Sequence, residues 1–163
     1  MKVTNIHRRT LQQPKEKLVE WFTTLATDQD RVWPSKQWPP MRFKEGLQVG
    51  AKGGHGPVRY TVEKMDNWEY IQFRFTQPKG FHGYHRLEIN AVTRTQTEIK
   101  HVLKMNTSGA ATFSWLLVFR PLHDALIEDA FDKVENQFSD QTKRTAWSFW
   151  VKFLRNILKK ITA

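Results

Sequence analysis

Alternation of apolar and polar residues in the middle of the chain predicts an antiparallel sheet. Residues 58–63, 71–75 and 86–91 place apolar side chains at every second position, and residues 98–105 do so with His101 at one of those positions. This is the pattern of a strand that buries one face, and the short connections allow neighbouring strands to share that face. The opening segment, Lys2–Leu11, also has the character of a strand, so we expect six or seven strands in one curved sheet.

Helical periodicity appears on either side of these strands. Pro14 suits the first position of a short helix, and a second short helix is expected over residues 28–32. Apolar positions with a 3.6-residue period over residues 113–138 predict a long helix that covers the sheet, with a kink at Pro121. Residues 140–163 form another apolar stripe at helical spacing. We therefore expect a folded domain over residues 1–139, followed by a basic amphipathic helix.

The 163-residue chain is long enough to bury a substantial core, roughly 70% of its unfolded surface. It contains no cysteine, which excludes disulfides, thiolate metal sites and a cysteine nucleophile. Its start has no apolar leader segment, and its longest uncharged stretch, residues 105–119, is too short and polar to span a bilayer. We expect a cytoplasmic protein, with peripheral attachment to a membrane left open.

The net charge of +10 lies unevenly along the chain. Residues 140–163 carry six basic residues and one acid, so half of the excess charge lies in the last helix. Its apolar stripe fits two roles: contact with an anionic membrane surface, or packing on the domain or on a second copy in a homodimer. Nucleic acid is disfavoured because the aromatic residues lie in the stripe. The residues expected to contact a membrane or partner are Trp147, Trp150, Lys152, Leu154, Arg155, Leu158 and Lys159.

Several short motifs resemble those of uncharacterised bacterial members of the SRPBCC superfamily, the START-like and polyketide cyclase/dehydrase-like proteins. They are Asp30-Arg31-Val32-Trp33-Pro34, Trp38-Pro39-Pro40-Met41, Gly53-Gly54-His55-Gly56-Pro57, Gly80-Phe81-His82-Gly83-Tyr84-His85 and Arg120-Pro121-Leu122-His123-Asp124-Ala125-Leu126. The resemblance covers about residues 1–139. It implies an α+β helix-grip fold, in which a curved antiparallel sheet wraps around a long C-terminal helix and encloses an apolar cavity. It also implies binding of a hydrophobic small molecule or lipid, although the superfamily includes enzymes.

The phase of the strands and of the covering helix identifies the side chains expected to line this cavity. They are Tyr60, Val62, Phe73, Phe75, His85, Leu87, Ile89, Ile99, His101, Leu103, Phe113, Leu117, Arg120 and Phe131, with Trp38 and His55 at the rim. Selectivity would come from the few polar members, and Arg120 could pair with a ligand carboxylate or with a buried acid.

The two histidines in this set are expected to act separately. A hairpin that pairs Ala91 with Ile99 places His101 opposite Ile89, about 13 Å from His85 along the strands. At that distance they would be two ligand anchors, or two hydrogen-bonded core histidines, rather than an acid–base pair.

Motifs for catalysis and cofactors are absent from the sequence. The six histidines lack metal-binding spacing, no G-x-S-x-G elbow is present, and the glycines at 53–56 do not follow a phosphate-binding pattern. We therefore expect no cofactor and no metal, and we assign no catalytic residue. The sequence favours binding or transport of a hydrophobic ligand. The alternative is a cyclase/dehydrase-type enzyme acting on a hydrophobic carbonyl substrate.

Overall fold

The structure, a computed structural model, describes residues 1–162, and side chains as far as Lys159. Ala163, the last residue of the predicted C-terminal helix, lies outside the described residues. Seven antiparallel strands form one sheet with the order β1-β7-β6-β5-β4-β3-β2. The strands are β1 Lys2–Leu11, β2 Arg42–Phe43, β3 Lys52–His55, β4 Val58–Asp66, β5 Tyr70–Gln77, β6 Phe81–Ala91 and β7 Thr97–Thr107. The predicted α+β architecture, with a long helix covering one face of the sheet, is confirmed.

The helices cover the face that the alternating pattern marks as apolar. They are α1 Lys15–Phe22, α2 Ala110–Ser114, α3 Arg120–Glu135 and α4 Phe149–Thr162, with a π-helical turn, Trp115–Phe119, between α2 and α3. The core contains Tyr60, Val62, Phe73, Ile89 and Ile99 from the sheet, and each of these side chains is almost completely buried. They pack in one cluster with Leu126, Phe131 and Val134 of α3.

Pro121 alters the covering helix, as its lack of an N–H group predicts. A proline cannot donate the helical hydrogen bond to the carbonyl four residues earlier, which here belongs to Leu117. The backbone bonds just before Pro121 widen to the π pattern, in which the Arg120 N–H donates to the Trp115 carbonyl. The Leu117 carbonyl accepts a hydrogen bond from the Trp150 indole N–H instead, at 2.7 Å. The helix therefore continues, with its side-chain phase shifted.

The inner face of the first strand is largely polar. Val3 is buried, whereas Ile6 is exposed, because residues three apart lie on opposite faces of a strand. Polar residues occupy the inner positions between the ends of β1 and face acids of α3. Asn5 and His7 bond Asp124, and Arg9 forms ion pairs with several carboxylates of α3.

One predicted helix is absent from the structure, and another begins later than predicted. Residues 28–32 form turns rather than a second short helix. Asp30 causes this, because its carboxylate accepts from the backbone N–H groups of Ala26, Val32 and Trp33. The C-terminal helix begins at Phe149, not at residue 140, and residues 142–148 have no regular structure.

Candidate functional site

A partly open cavity of about 190 Å³ lies between the sheet, helices α3 and α4, and the turns that follow α1. Its wall is almost entirely apolar and rich in aromatic side chains. The volume exceeds that of an engineered apolar cavity of about 150 Å³ that binds benzene. A compact hydrophobic molecule with about one aromatic ring is therefore of suitable size.

Many predicted cavity residues lie at this wall. The lining includes Phe75, His85, Leu87, His101, Leu103 and Phe131, together with Trp38 and His55 from the predicted rim. Tyr60, Val62, Phe73, Ile89 and Ile99 are buried in the adjoining core rather than at the cavity surface. Their alternation located the correct face of the sheet, but only part of that face borders the cavity.

The predicted positions of Phe113, Leu117 and Arg120 are wrong. The first two side chains are 68% and 58% exposed, and the Arg120 side chain is 57% exposed and near Asp124. The π-helical turn explains the error, because the extra residue per turn rotates the helix before Pro121 relative to α3. Trp115, Val118 and Phe119 line the cavity in their place.

Other lining residues were missed in the sequence. They are mainly aromatic and aliphatic side chains from the turns before β2, from β6 and from α3, among them Trp33, Phe81, Leu122, Leu126, Ala130 and His123. The spacing of Leu122, Leu126 and Ala130 was a usable signal, since it marks one face of α3.

His85 and His101 are in direct contact, which corrects the separation predicted for them. The Nδ1 atom of His85 lies 3.2 Å from the Nε2 atom of His101. The hairpin between β6 and β7 pairs Ala91 with Thr97 and Leu87 with His101, two residues away from the predicted register. The shorter loop brings His101 diagonally across from His85, where cross-strand side chains meet.

Burial keeps the histidines of the cavity neutral. Desolvation lowers the pKa of His55 to about 3, and it lowers the pKa of His85 and of His101 well below the usual value. In a neutral pair one imidazole donates to the other, so the two outer nitrogens are one donor and one acceptor in either arrangement. These nitrogens, Nε2 of His85 and Nδ1 of His101, are buried without a partner.

His123 has a different set of contacts, centred on Asp124. Its Nδ1 atom lies 3.3 Å from a carboxylate oxygen of Asp124, and its Nε2 atom is buried without a partner. Burial lowers the pKa of His123 despite the nearby carboxylate. Burial also opposes ionisation of Asp124, but hydrogen bonds from His123 and His7 hold the pKa of that carboxyl well below its usual range.

Asp124 also belongs to the one group of described residues with spacing that could suit a metal ion. Donor atoms of His7, His123 and Asp124 lie within 4.8 Å of one another. Both ring nitrogens of His7 already face carboxylates, Nδ1 towards Glu128 at 2.7 Å and Nε2 towards Asp124 at 3.2 Å. Hydrogen bonding therefore accounts for this cluster, which the sequence did not reveal.

The C-terminal helix packs on the domain and closes one side of the cavity. Leu154 and Arg155 are buried, and Arg155 and Leu158 line the cavity, so these three are not available as the surface contacts predicted for them. Trp147, ahead of the helix, packs against Trp38. The indole N–H groups of these two tryptophans donate to the same oxygen of Asp129, at 2.9 and 2.7 Å.

The outer side of α4 leaves several large apolar side chains in solvent. Phe149 is 83% exposed, and Trp150 stacks on Phe153 with ring centres 5.3 Å apart. The hydrogen bond from Trp150 to the Leu117 carbonyl joins this side of α4 to the exposed Leu117, and the exposed Phe113 lies four residues before Leu117 in the same helical segment. We call these five residues the aromatic surface. Lys152 and Lys159, also predicted as contacts, are exposed on the same helix.

Comparison with known proteins places the architecture. No protein-family model and no curated protein matches the sequence. Norcoclaurine synthase from Thalictrum flavum, in complex with dopamine and hydroxybenzaldehyde, superposes with a TM-score of 0.60 at 12% identity, over 88% of this chain and 90% of that chain. The chain has the helix-grip fold.

Two bacterial structures give the same result for the helix-grip fold. A protein from Thermobifida fusca has a TM-score of 0.63 at 12% identity, over 88% of this chain and 99% of that chain. A protein from Nitrosospira multiformis has a TM-score of 0.62 at 14% identity, over 88% and 100%. Identities this low establish the fold alone. No helix in the described part of the chain is long and apolar enough to cross a bilayer.

Proposed function

We propose that this protein binds a small hydrophobic molecule in the cavity between the sheet, α3 and α4. The cavity itself carries the proposal: it is an apolar space of about 190 Å³ whose lining histidines hold buried nitrogens without partners. A buried polar group without a partner costs about 1–3 kcal/mol. A ligand with a hydroxyl or carbonyl group could recover part of that cost while its apolar body fills the cavity.

The fold supports this proposal in general terms. The norcoclaurine synthase structure contains dopamine and hydroxybenzaldehyde, two small aromatic compounds. The cavity of the present chain is lined by aromatic side chains, including Trp33, Trp38 and Trp115, and is of a size for one ring. The likeness is one of fold, so the support for a ligand of this class rests on the cavity of this chain.

Filling the cavity with protein atoms tests the proposal. Ala130 is buried and lines the cavity, so Ala130→Leu should occupy the space a ligand would use. We expect 3-phenyl-1-propanol, a neutral probe, to bind wild type with a 1:1 stoichiometry in calorimetry and to lose its binding in this variant. Ala110→Leu, on the exposed first residue of α2, is the matched control and should bind as wild type does. Absence of binding to wild type would refute the proposal.

A second candidate function is an enzyme that moves a proton next to a carbonyl group. The arrangement of His123 favours it, because Asp124 faces one ring nitrogen while the other is unpartnered in a residue that lines the cavity. A histidine oriented in this way can act as a general base.

Hydrogen exchange on a simple ketone tests this activity. We expect wild type to accelerate deuterium exchange next to the carbonyl of 4-phenyl-2-butanone in D₂O, as followed by NMR. His123→Gln should abolish the acceleration, and the variant of exposed His82, His82→Gln, should retain it. Exchange at the same rate with and without wild-type protein would exclude the catalytic function and leave the binding function standing.

The aromatic surface supports a further proposal, peripheral contact with an anionic membrane. Aromatic side chains insert at the interface of a bilayer, and flanking lysines such as Lys152 and Lys159 each contribute about 1 kcal/mol near anionic lipid. Phe149→Ser combined with Phe153→Ser should reduce co-sedimentation with vesicles that contain phosphatidylserine.

Ile6→Ser removes an exposed apolar residue of β1 and should leave the sedimentation unchanged. Equal sedimentation of wild type and the double variant would contradict membrane contact. If light scattering shows that the molar mass of wild type doubles as its concentration rises, and that of the double variant does not, the surface would belong to a homodimer interface instead.

A further inference from the structure

Arg155 is a buried cation at the wall of the cavity, and no carboxylate in the described part of the chain pairs with it. It lies on the inner side of α4, is only 7% exposed, and lines the cavity together with Leu158 of the same helix. Burial of a charged group is costly unless an opposite charge or a set of hydrogen bonds compensates it. Its contacts therefore indicate whether the site is complete.

The protein supplies only part of that compensation. One terminal nitrogen of the guanidinium donates to the Gln37 carbonyl, and the guanidinium carbon lies 4.5 Å from the ring centre of Trp38. The Nε atom is buried without a hydrogen-bond partner. No ion pair links Arg155 to any acid whose side chain the structure describes. A guanidinium has five N–H donors, and among the described residues Gln37 is the one hydrogen-bond acceptor for that of Arg155.

The contacts of Arg9 and of Asp129 show what Arg155 lacks. Arg9, an arginine held between β1 and α3, has Glu128, Asp132 and Glu135 around it. Asp129 is the acid whose charge acts on Arg155, yet its carboxylate accepts the indole N–H groups of Trp38 and Trp147 instead. Arg155 thus lies near the charge of Asp129, but it forms no ion pair with an acid whose side chain the structure describes.

We infer that the cavity binds a small apolar carboxylic acid, with its carboxylate held by Arg155 of α4. The inference rests on the proposed binding function and adds the chemical class of the ligand. Arginine matches a carboxylate well because its planar N–H groups can form charge-assisted hydrogen bonds to the two oxygens. A single negative charge balances the guanidinium, while the surrounding histidines are neutral through burial and offer no second cation. The apolar wall accepts the rest of the molecule.

A matched pair of probes tests the inference on the full chain. At pH 7.5, calorimetry should show 3-phenylpropanoate binding to wild type about tenfold more tightly than 3-phenyl-1-propanol, which has the same carbon skeleton and no charge. Arg155→Gln should abolish this preference while still binding the alcohol, and Arg155→Lys should retain part of it. Lys152→Gln removes one positive charge from the exposed side of the same helix and should keep the full preference.

The outcomes separate the inference from the proposed function. Equal affinity of wild type for the acid and the alcohol would overturn the role of Arg155 and leave a cavity for neutral ligands. Binding of neither probe would overturn both. If Arg155→Gln still prefers the acid, a group other than Arg155 holds the carboxylate, and the inference is overturned. If Arg155→Gln does not fold, the comparison of acid with alcohol in wild type and in Arg155→Lys still decides the inference.

Discussion

Buried histidines differ in proton affinity between the folded and the unfolded protein. His55, His85 and His101 have pKa values lowered by desolvation, and that of His123 is lowered as well. His7 differs, because hydrogen bonds and the charges of Asp124 and Glu128 outweigh its burial and raise its pKa. Four groups therefore resist protonation in the folded protein, and one favours it.

The stability of the protein should fall as the pH is lowered from 7.5 to 5.5. An unfolded histidine takes up a proton near pH 6.5, whereas His85 and His101 remain neutral in the folded state, so acid favours unfolding. Each should account for about 1 kcal/mol of lost stability over this interval. His7 acts in the opposite sense, because its contribution is present at low pH and is lost as the pH rises.

Urea unfolding of two variants on the same strand measures this effect. His85→Asn should reduce the loss of stability between the two pH values. His82→Asn, on the exposed face of β6, should leave the loss as it is in wild type. A loss of the same size in all three proteins would contradict the assignment.

The residue scale also shows what alternation along a strand can and cannot predict. Parity placed His85 and His101 on the apolar face of the sheet, and the structure has them there. Their contact depends on register, which depends on the length of one hairpin loop. Composition constrains that length weakly. The predicted register was wrong by two residues, and the predicted distance between His85 and His101 was therefore too long.

At the scale of elements, the pairing of β1 with α3 depends on charged groups. Asn5, His7 and Arg9 lie on the inner side of the strand and bond four acids of the helix. Hydrogen bonds and the charges of Glu135 and Asp132 raise the pKa of Arg9 despite its burial. Since the bonded residues lie 117 or more positions apart in sequence, no local pattern could have predicted their contact.

Removing the cation at the centre of this interface should destabilise the fold. Arg9→Met leaves three carboxylates close together without their partner, and we expect a loss of about 3 kcal/mol in the free energy of unfolding. Arg8→Met is the control, because Arg8 is exposed and lies 3.9 Å from Glu98, so its loss should stay below about 0.5 kcal/mol. Equal urea midpoints for the two variants would show that the interface does not depend on Arg9.

The helices show the limit of periodicity as a guide. The 3.6-residue period located the covering helix, and Pro121 indicated where it is irregular. The period could not show that the helix would continue through a π-helical turn, because Trp150, which donates to the carbonyl left free by Pro121, lies 33 positions away. Phe113 and Leu117 were misplaced for that reason.

At the scale of the whole molecule, the basic excess and the cavity meet in α4. The sequence located half of the net charge in the last segment and indicated its apolar stripe. In the structure one side of that helix closes the cavity with Arg155 and Leu158, and the other side carries Phe149, Trp150 and Phe153 of the aromatic surface. Which side faces the domain depends on packing against Trp38 and α3, and this is tertiary information that a helical period does not contain.

The central claim is that a small hydrophobic ligand enters the cavity, and NMR titration of the imidazole signals tests it most directly. Addition of 3-phenyl-1-propanol should shift the ring signals of His85, His101 and His123, which line the cavity, and leave those of the exposed His82 unchanged. The shifts should saturate at one equivalent. The account would be contradicted if the ring signals of the three cavity histidines did not move at probe concentrations that shift signals elsewhere in the protein.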